Sequence, residues 1–255
     1  MPYHELIPHP ALRPFVDRFW TNVGSPGARP RRILPDGCID IIVDLASGGD
    51  ARVVGAMTRA AVLKSIEPVR AVAVRFRPVG AVPFLRAPAH ELTDRMVDRA
   101  DLALGWLEPG RLLAFSDLGD AARYLERVLL GRLAAAPPPH PIVDHAARVL
   151  FRPDPPAIAA LQREVGWTRQ HLARMFQHHI GVAPKLLGRV ARMQLAVAEL
   201  VRRPQASLAD LALRAGYFDQ AHMALDFRDL VGVTPSQAAA SPGAILPIRS
   251  LFDEA

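Results

Sequence analysis

The sequence predicts an α+β protein with two domains, a β-rich barrel- or sandwich-like domain carrying one amphipathic helix and an all-α domain after it. Three observations predict this fold class. Apolar and polar residues alternate with a period of two in the first half, helical spacing takes over from about residue 111, and three consecutive prolines follow at 137–139. A chain of 255 residues has the length of one or two domains.

The predicted N-terminal domain covers residues 1–136. In the segment 69–77, apolar side chains alternate with Ala73, Arg75 and Arg77, which predicts a strand with one buried face. Residues 111–132 carry apolar side chains every three or four positions and predict an amphipathic helix. Its apolar stripe can pack on the strands or on a second copy of the chain, and the sequence leaves both open.

The three prolines belong to a predicted linker at 137–141, since consecutive prolines fit neither a helix interior nor a central strand. An all-helical domain is predicted over 142–243, followed by a C-terminal tail at 244–255. A repeat runs through this domain. Gly166–Phe176 and Gly216–Phe227 both begin with glycine and an aromatic residue and end in phenylalanine, and both are followed by Gly-Val-x-Pro. The glycines are 50 residues apart and the phenylalanines 51, so one residue is inserted in a duplicated unit.

Each repeat has the pattern of a helix, a sharp turn and a second helix. Gly166 and Gly216 are placed where the chain needs a left-handed residue, and Thr168 and Asp219 are predicted to cap the second helices. A helix over 185–202 would join the two units and measure about 27 Å at 1.5 Å per residue. That length approaches the ~34 Å turn of a DNA duplex, so the two second helices are predicted to enter successive major grooves of double-stranded DNA.

Charge and cysteine content narrow the function classes. Residues 156–243 contain ten Lys+Arg and six Asp+Glu, which accounts for +4 of the net charge of +6 and favours a phosphate-facing surface. The single cysteine excludes a disulfide framework and a multi-cysteine zinc site, and we expect no metal and no cofactor. We recognise no export signal and no membrane-spanning run, so we expect a cytoplasmic protein without a membrane partner.

Several stretches of the C-terminal half match one family pattern. They are Gly166–Pro184, Arg192, Ala215–Arg228 and Gly232–Ser236. With them, residues 141–243 resemble the DNA-binding domain of the AraC/XylS family of bacterial transcriptional regulators. The resemblance implies a sequence-specific transcription factor, activator or repressor, that is not an enzyme. It also implies an N-terminal domain that senses a small-molecule effector or forms a homodimer, and contact with RNA polymerase in an activator.

The resemblance also implies which residues contact DNA. The predicted set is Arg169, Gln170, Arg174, Gln177, Lys185, Gln220, His222 and Arg228. Arginine and glutamine suit base reading because each can form paired hydrogen bonds with a base edge. Leu225 stands where the family usually has arginine, so we expect the first unit to read bases and the second to hold mainly phosphate through its helix N-terminus, Gln220 and Arg228.

A candidate effector pocket in the N-terminal domain is assigned to Cys38, Arg75, Arg77 and Trp106. Each residue also has a structural interpretation, with Cys38 as a buried thiol and the two arginines as ion-pair partners of nearby aspartates. Two alternative functions stay open. The N-terminal domain could be an enzyme using Cys38 with His90, or Asp36 with Asp40, or it could be a scaffold that only dimerises.

Overall fold

The computed structural model describes residues 3–25, 31–63, 67–102, 104–240 and 245–246. Its N-terminal half is β-rich and its C-terminal half is helical, which confirms the predicted fold class. The strands are β1 (Tyr3–Leu6), β2 (Val16–Gly24), β3 (Arg31–Ile33), β4 (Ile39–Asp44), β5 (Asp50–Val54), β6 (Ala61–Leu63), β7 (Val69–Phe76), β8 (Met96–Asp98) and β9 (Ile245–Leu246). The helices are α1 (Val82–Leu85), α2 (Pro109–Leu112), α3 (Leu118–Leu133), α4 (Pro141–Leu150), α5 (Ile158–Val165), α6 (Arg169–His179), α7 (Pro184–Arg202), α8 (Leu208–Arg214), α9 (Gln220–Leu230) and α10 (Pro235–Ala240).

Two sheets form the N-terminal domain. The larger sheet has six antiparallel strands in the order β1-β2-β7-β4-β5-β8, and the smaller has the order β6-β3-β9. In the smaller sheet β9 runs parallel to β3, so two residues of the predicted C-terminal tail pair with the N-terminal domain. The other residues of that tail lie outside the described part of the chain.

The prediction of a single buried face for the strand at 69–77 is wrong, because Ala73 and Arg75 are buried as well as the apolar set. The strand, β7, lies between β2 and β4 at the centre of the larger sheet. The indole of Trp20 on β2 donates a hydrogen bond to Asp40 on β4 at 3.0 Å and so extends across β7. A central strand whose second face is also covered needs no polar alternation.

The predicted helix at 111–132 is wrong over its first turns and right over the rest. The segment begins as the short α2, and α3 starts at Leu118 after Asp117, whose side chain accepts a hydrogen bond from the backbone N–H of Asp120. The buried stripe of Ala122, Leu125 and Leu129 packs on β2 and β7. The stripe is therefore occupied by the chain's own sheet and is not available to a second copy.

Six helices, α5 to α10, build two similar units around α7, and α4 packs beside the first. Helix α4 begins at Pro141, one residue before the predicted start of the domain, with His140 as its N-cap. Gly166 and Gly216 have φ of 71° and 79°, the left-handed conformation predicted for both turns.

The two domains share their hydrophobic cores. Leu34 packs in the cluster of the second helical unit, and Ala56 and Val79 pack in the cluster of the first. The side-chain amide of Gln194 on α7 donates to the carbonyl of Pro35 at 2.7 Å. The N-terminal domain is thus seated on the helix that joins the two units.

Candidate nucleic-acid interface

The second helix of the first unit, α6, is fixed by its apolar face. Leu172 and Phe176 are buried, and the hydroxyl of Thr168 accepts a hydrogen bond from the backbone N–H of His171 at 3.2 Å, as expected for a cap. The opposite face is exposed and carries Arg169, Gln170, Arg174 and Gln177. Residues 170, 174 and 177 follow the i, i+4, i+7 spacing of one helix face, so the structure brings the predicted base-reading residues together.

The guanidinium of Arg174 is oriented on this face. Its Nη2 lies 3.0 Å from Nδ1 of His171, one turn earlier on α6. The planar end of Arg174 is therefore held away from the core. A planar fork of N–H donors matches the acceptors of a guanine edge in the major groove.

An open cleft of about 590 Å³ lies where α5 ends and α6 begins. Its lining residues are Ala159, Gln162, Arg163, Gly166, Trp167, Thr168 and Arg169. Arg163 and Arg169 are exposed, and the cleft is lined by Thr168 and Arg169, the N-cap and the first residue of α6. Cationic side chains beside a helix N-terminus suit a phosphate oxygen, so the sugar–phosphate backbone fits here.

The second helix of the second unit, α9, repeats this construction with a different surface. Met223 and Phe227 are buried, and Asp219 accepts a hydrogen bond from the backbone N–H of His222 at 2.7 Å. Gln220, His222 and Arg228 are exposed as predicted. Leu225 is also exposed, by 62 %, and offers no hydrogen bond at the centre of the face.

The inserted residue of the second repeat is Phe218. In the aligned repeats, the turn glycine and the aromatic residue after it occupy equivalent positions, and so do the helix caps Thr168 and Asp219. The extra residue therefore falls between Tyr217 and Asp219. Tyr217 is buried, whereas Phe218 is 86 % exposed at the start of α9. Phe218 was not among the residues predicted from the sequence, although the one-residue difference between the repeats is the signal that locates it.

Part of the positive charge of this region is paired with acidic side chains of the same domain. Arg189 of α7 bonds to Asp226 at 2.9 Å and to Asp229 at 2.6 Å, which ties α7 to α9. Arg202 and Arg203 pair with Glu199 at 3.6 and 3.2 Å. These pairs leave the net charge of +4 unchanged, because it already counts their acids, but they reduce the number of basic side chains available to phosphate. The exposed Lys185 and the exposed arginines of α6 and α9 remain available.

Two histidines end α6, with His178 exposed and His179 half-buried. Partial burial lowers the pKa of His179 to about 4, helped by the positive charge of His178 and His140 when they are protonated. The His140 ring lies 5.2 Å from the ring of His179, centre to centre. His179 is therefore neutral at pH 7 and adds no phosphate-binding charge.

The candidate effector residues lie in two places. Arg75 is buried and bonds to Asp40 at 3.1 Å and lies 3.3 Å from Asp36. Cys38 is 3 % exposed beside this group, and burial raises the pKa of its thiol, with Asp36 adding to the rise. Arg77 donates to the carbonyl of Arg13 at 3.4 Å. The indole of Trp106 packs elsewhere, against the core between the larger sheet and α3.

No cluster of three or more His, Cys, Asp or Glu residues suited to a metal ion occurs among the described residues. None of the helices in the described ranges is long and apolar enough to cross a bilayer.

Comparison with known proteins assigns two regions of the chain. Residues 161–241, which contain the end of α5 and all of α6 to α10, match the family model of a helix-turn-helix domain. Residues 4–98, which contain all but the first residue of β1 and all of β2 to β8, match a domain of unknown function, DUF6597. The duplicated unit found in the sequence is thus confirmed as a helix-turn-helix domain.

Among curated proteins, an uncharacterized HTH-type transcriptional regulator of Haemophilus influenzae is 36 % identical over 70 residues, which cover 28 % of this chain and 23 % of that protein. The match spans less than a quarter of the relative. Among solved structures, ToxT of Vibrio cholerae has a TM-score of 0.43 at 12 % identity and covers 87 % of this chain and 98 % of its own. ToxT bound to an unsaturated fatty acid also has a TM-score of 0.43, at 12 % identity, covering 87 % of this chain and 94 % of that one.

Proposed function

We propose that this chain, whose C-terminal domain is a helix-turn-helix domain of the AraC type, is a sequence-specific DNA-binding transcriptional regulator. One observation carries the proposal: both units present a capped second helix with a buried apolar face and an exposed polar face. The two units are joined by α7, a 19-residue helix. Two such helices on one rod can enter successive major grooves on the same side of a duplex.

The two helices contribute unequally to base reading. On α6, Arg174 reaches a guanine edge and Gln170 an adenine edge, because their side chains are exposed on one face and each can form paired hydrogen bonds. On α9, Leu225 offers no donor or acceptor where the partner unit has polar groups. Gln220, Arg228 and the helix N-terminus therefore act mainly on phosphate, with His222 beside them.

Two substitutions separate these roles. Arg174→Ala removes one base contact, so discrimination at that base pair should fall by about 1–3 kcal/mol, which is a 5- to 150-fold change. Arg228→Ala should weaken all duplexes alike and reduce the salt dependence of binding, since one phosphate contact is lost. Arg127→Ala, at an exposed position on α3 in the other domain, is the matched control and should change neither.

The experiment starts from a site selected by the purified full-length chain from random or genomic duplexes. Binding isotherms against single-base variants of that site then give the discrimination in each half-site at fixed salt. Equal base discrimination in both half-sites would contradict the unequal reading. Absence of any preference over random competitor at moderate salt would contradict the function itself.

We infer that the N-terminal domain regulates this binding rather than carrying out a reaction. The groups proposed for catalysis serve other contacts, since Asp36 and Asp40 surround Arg75 and the Cys38 thiol is buried with a raised pKa. A nucleophilic cysteine needs the opposite, a lowered pKa and access. The direct contact between the N-terminal domain and α7, the hydrogen bond from Gln194 to the carbonyl of Pro35, supports a regulatory role.

The input to this domain is a small-molecule effector, a second copy of the chain, or both. A thermal-shift screen of the full chain against metabolites, followed by duplex binding with each hit, tests the effector. Light scattering with and without duplex tests the homodimer, and transcription with purified RNA polymerase tests activation. An effector that shifts Tm but leaves duplex affinity unchanged would contradict regulation through this domain.

A further inference from the structure

Two loops of the N-terminal domain, one between β5 and β6 and one just before β8, reach the C-terminal ends of α6 and α9. These two helices, the second helices of the two units, are called the recognition helices below. The hydroxyl of Thr93 donates a hydrogen bond to the carbonyl of Gly181, just after α6, at 2.7 Å. The backbone N–H of Ala60 donates to the carbonyl of Leu230, the last residue of α9, at 2.7 Å. Beside it, Arg59 lies 3.4 Å from Asp229. One domain thus contacts each of the two helices proposed to enter DNA.

The approach at Gly181 is close. This glycine has φ of 94°, and a Cβ added there would lie 2.8 Å from the Thr93 hydroxyl and 3.0 Å from the carbonyl oxygen of Ala89. A side chain would therefore push the first unit off the loop. The sequence repeat places glycine here for its backbone conformation, and the structure adds this second requirement.

The carboxylate of Asp94 joins the two loops through side-chain hydrogen bonds. Asp94 accepts hydrogen bonds from the backbone N–H of Thr58 at 2.7 Å and from the Thr58 hydroxyl at 2.6 Å. Its own N–H donates to the carbonyl of Ala56 at 3.0 Å. Thr58 precedes the contact with α9 by two residues, and Asp94 follows the contact with α6 by one. The loops flank the paired strands β5 and β8, and the backbone N–H of Gly55 also donates to the carbonyl of Arg95 at 3.0 Å. The Thr58–Asp94 pair extends this pairing with side-chain hydrogen bonds towards the two contacts.

Asp94 is held in the left-handed region with φ of 56°, which is unusual for a residue with a side chain. Such a conformation persists when the surrounding contacts determine it, and here those contacts are the three hydrogen bonds to Thr58 and Ala56. Asparagine adopts this conformation readily and keeps an acceptor oxygen, whereas glycine adopts it and removes the acceptor.

We propose that the Thr58–Asp94 pair is a positioning element that fixes the distance between the two recognition helices. Helix α7 joins the units along one side, and the paired loops join the far ends of α6 and α9 along another. With both connections in place, the separation between α6 and α9 can vary less than it could with α7 alone. The consequence for DNA, a fixed half-site spacing, rests on the proposed function, but the fixed separation does not.

The distance is measured directly by pulsed electron paramagnetic resonance. Nitroxide labels are attached to Gln170→Cys on α6 and Ala221→Cys on α9, both exposed, in the full-length chain. Cys38 is buried, and the unsubstituted chain treated with the same reagent shows that it stays unlabelled. Asp94→Gly is expected to broaden the distance distribution, and Asp94→Asn to restore the narrow one.

Two further variants keep the test decisive. Thr58→Val removes the hydroxyl but keeps the backbone N–H, so we expect a smaller broadening of the distance distribution than in Asp94→Gly. If circular dichroism shows that Asp94→Gly does not fold, Thr58→Val takes its place. Asp101→Gly, an exposed acid of the same domain outside both loops, is the matched control and should leave the distribution narrow. Narrow distributions in both Asp94→Gly and Thr58→Val would overturn the proposal.

Duplexes with altered half-site spacing form the second arm. Asp94→Gly is expected to lose about fivefold or more of the preference for the selected spacing over one that is one base pair longer. Broadening of the distance without duplex binding by any variant would leave the positioning element standing and reject the proposed function. An unchanged spacing preference together with a narrow distribution would reject the positioning element alone.

Discussion

The buried charge group around Arg75 gives the sharpest prediction for stability. Three hydrogen bonds of 3.1, 3.3 and 3.1 Å join the Arg75 guanidinium to Asp40, and Asp36 lies 3.3 Å away. The side chains of Arg75, Asp36 and Asp40 are only 10, 4 and 10 % exposed. One positive charge therefore compensates two negative ones at a site that water barely reaches.

Arg75→Ala leaves both carboxylates buried without their counter-charge. Breaking a buried ion pair by removing one partner costs about 3–5 kcal/mol, a large part of a typical unfolding free energy of roughly 5–15 kcal/mol. Arg52→Ala is the matched control, since the Arg52–Asp98 pair is 51 and 67 % exposed and an exposed pair is worth about 0–1 kcal/mol. The difference between the two variants isolates burial from the loss of an arginine.

The pH dependence of this variant has a definite sign. Burial already raises the pKa of Asp36 above 3.8 in the folded chain, so the stability that Asp36 contributes is present at low pH and is lost as pH rises through the folded value. Without Arg75 the pKa of Asp36 rises further, because the positive charge of Arg75 opposes the effect of burial. The deficit of Arg75→Ala relative to the unsubstituted chain should therefore shrink as the pH is lowered from 7 towards 4.

Urea denaturation of the full chain measures both effects. Unfolding is followed by circular dichroism and by tryptophan fluorescence, to which Trp20 contributes beside Asp40 together with Trp106 and Trp167. A loss in Arg75→Ala no larger than that in Arg52→Ala at pH 7 would refute the reasoning. So would a deficit that stays constant between pH 7 and pH 4.

Two further predictions concern the helical domain. The pKa of His179 is lowered from 6.5 to about 4, so the stability that His179 contributes is present above pH 6.5 and is lost as the pH falls towards 4. The Tm of His179→Gln should therefore depend less on pH between 6.5 and 4 than the Tm of the unsubstituted chain. Equal pH dependence of the two Tm values would contradict the lowered pKa. Phe227→Ala should lower the free energy of unfolding by about 3–5 kcal/mol, because its side chain is fully buried. Phe218→Ala should change it by less than about 0.5 kcal/mol, because its side chain is exposed. Urea denaturation that ranks the two variants in the other order would contradict this packing.

The features that the sequence predicts well are those with local causes. The left-handed glycines and the capping residues of the two repeats depend on a few neighbouring positions, and the structure has them where the pattern places them. The buried faces of α6 and α9 follow from helical spacing in the same way. These features are enough to identify the C-terminal domain and the exposed faces of its recognition helices.

The features that the sequence does not predict depend on contacts between distant segments. The second buried face of β7 requires knowing that Trp20 and Asp40, on different strands, meet across it. The identity of Arg189 as an internal residue requires its partners Asp226 and Asp229, which lie about 40 positions away. A composition count cannot tell such an arginine from one that faces solvent, although its charge is directed at two acids of α9.

The same long-range contacts distinguish the two recognition helices. Helix α9 is tied to α7 through Arg189 and to the N-terminal domain through Arg59, and both arginines converge on Asp229. The first unit meets the N-terminal domain through the hydrogen bond from Thr93 to Gly181, after the end of α6. A change in the N-terminal domain that displaces Arg59 therefore acts on the charge balance of α9, the helix proposed to contribute less to base reading. Regulation through this domain should then alter overall affinity and spacing preference before it alters which bases α6 reads.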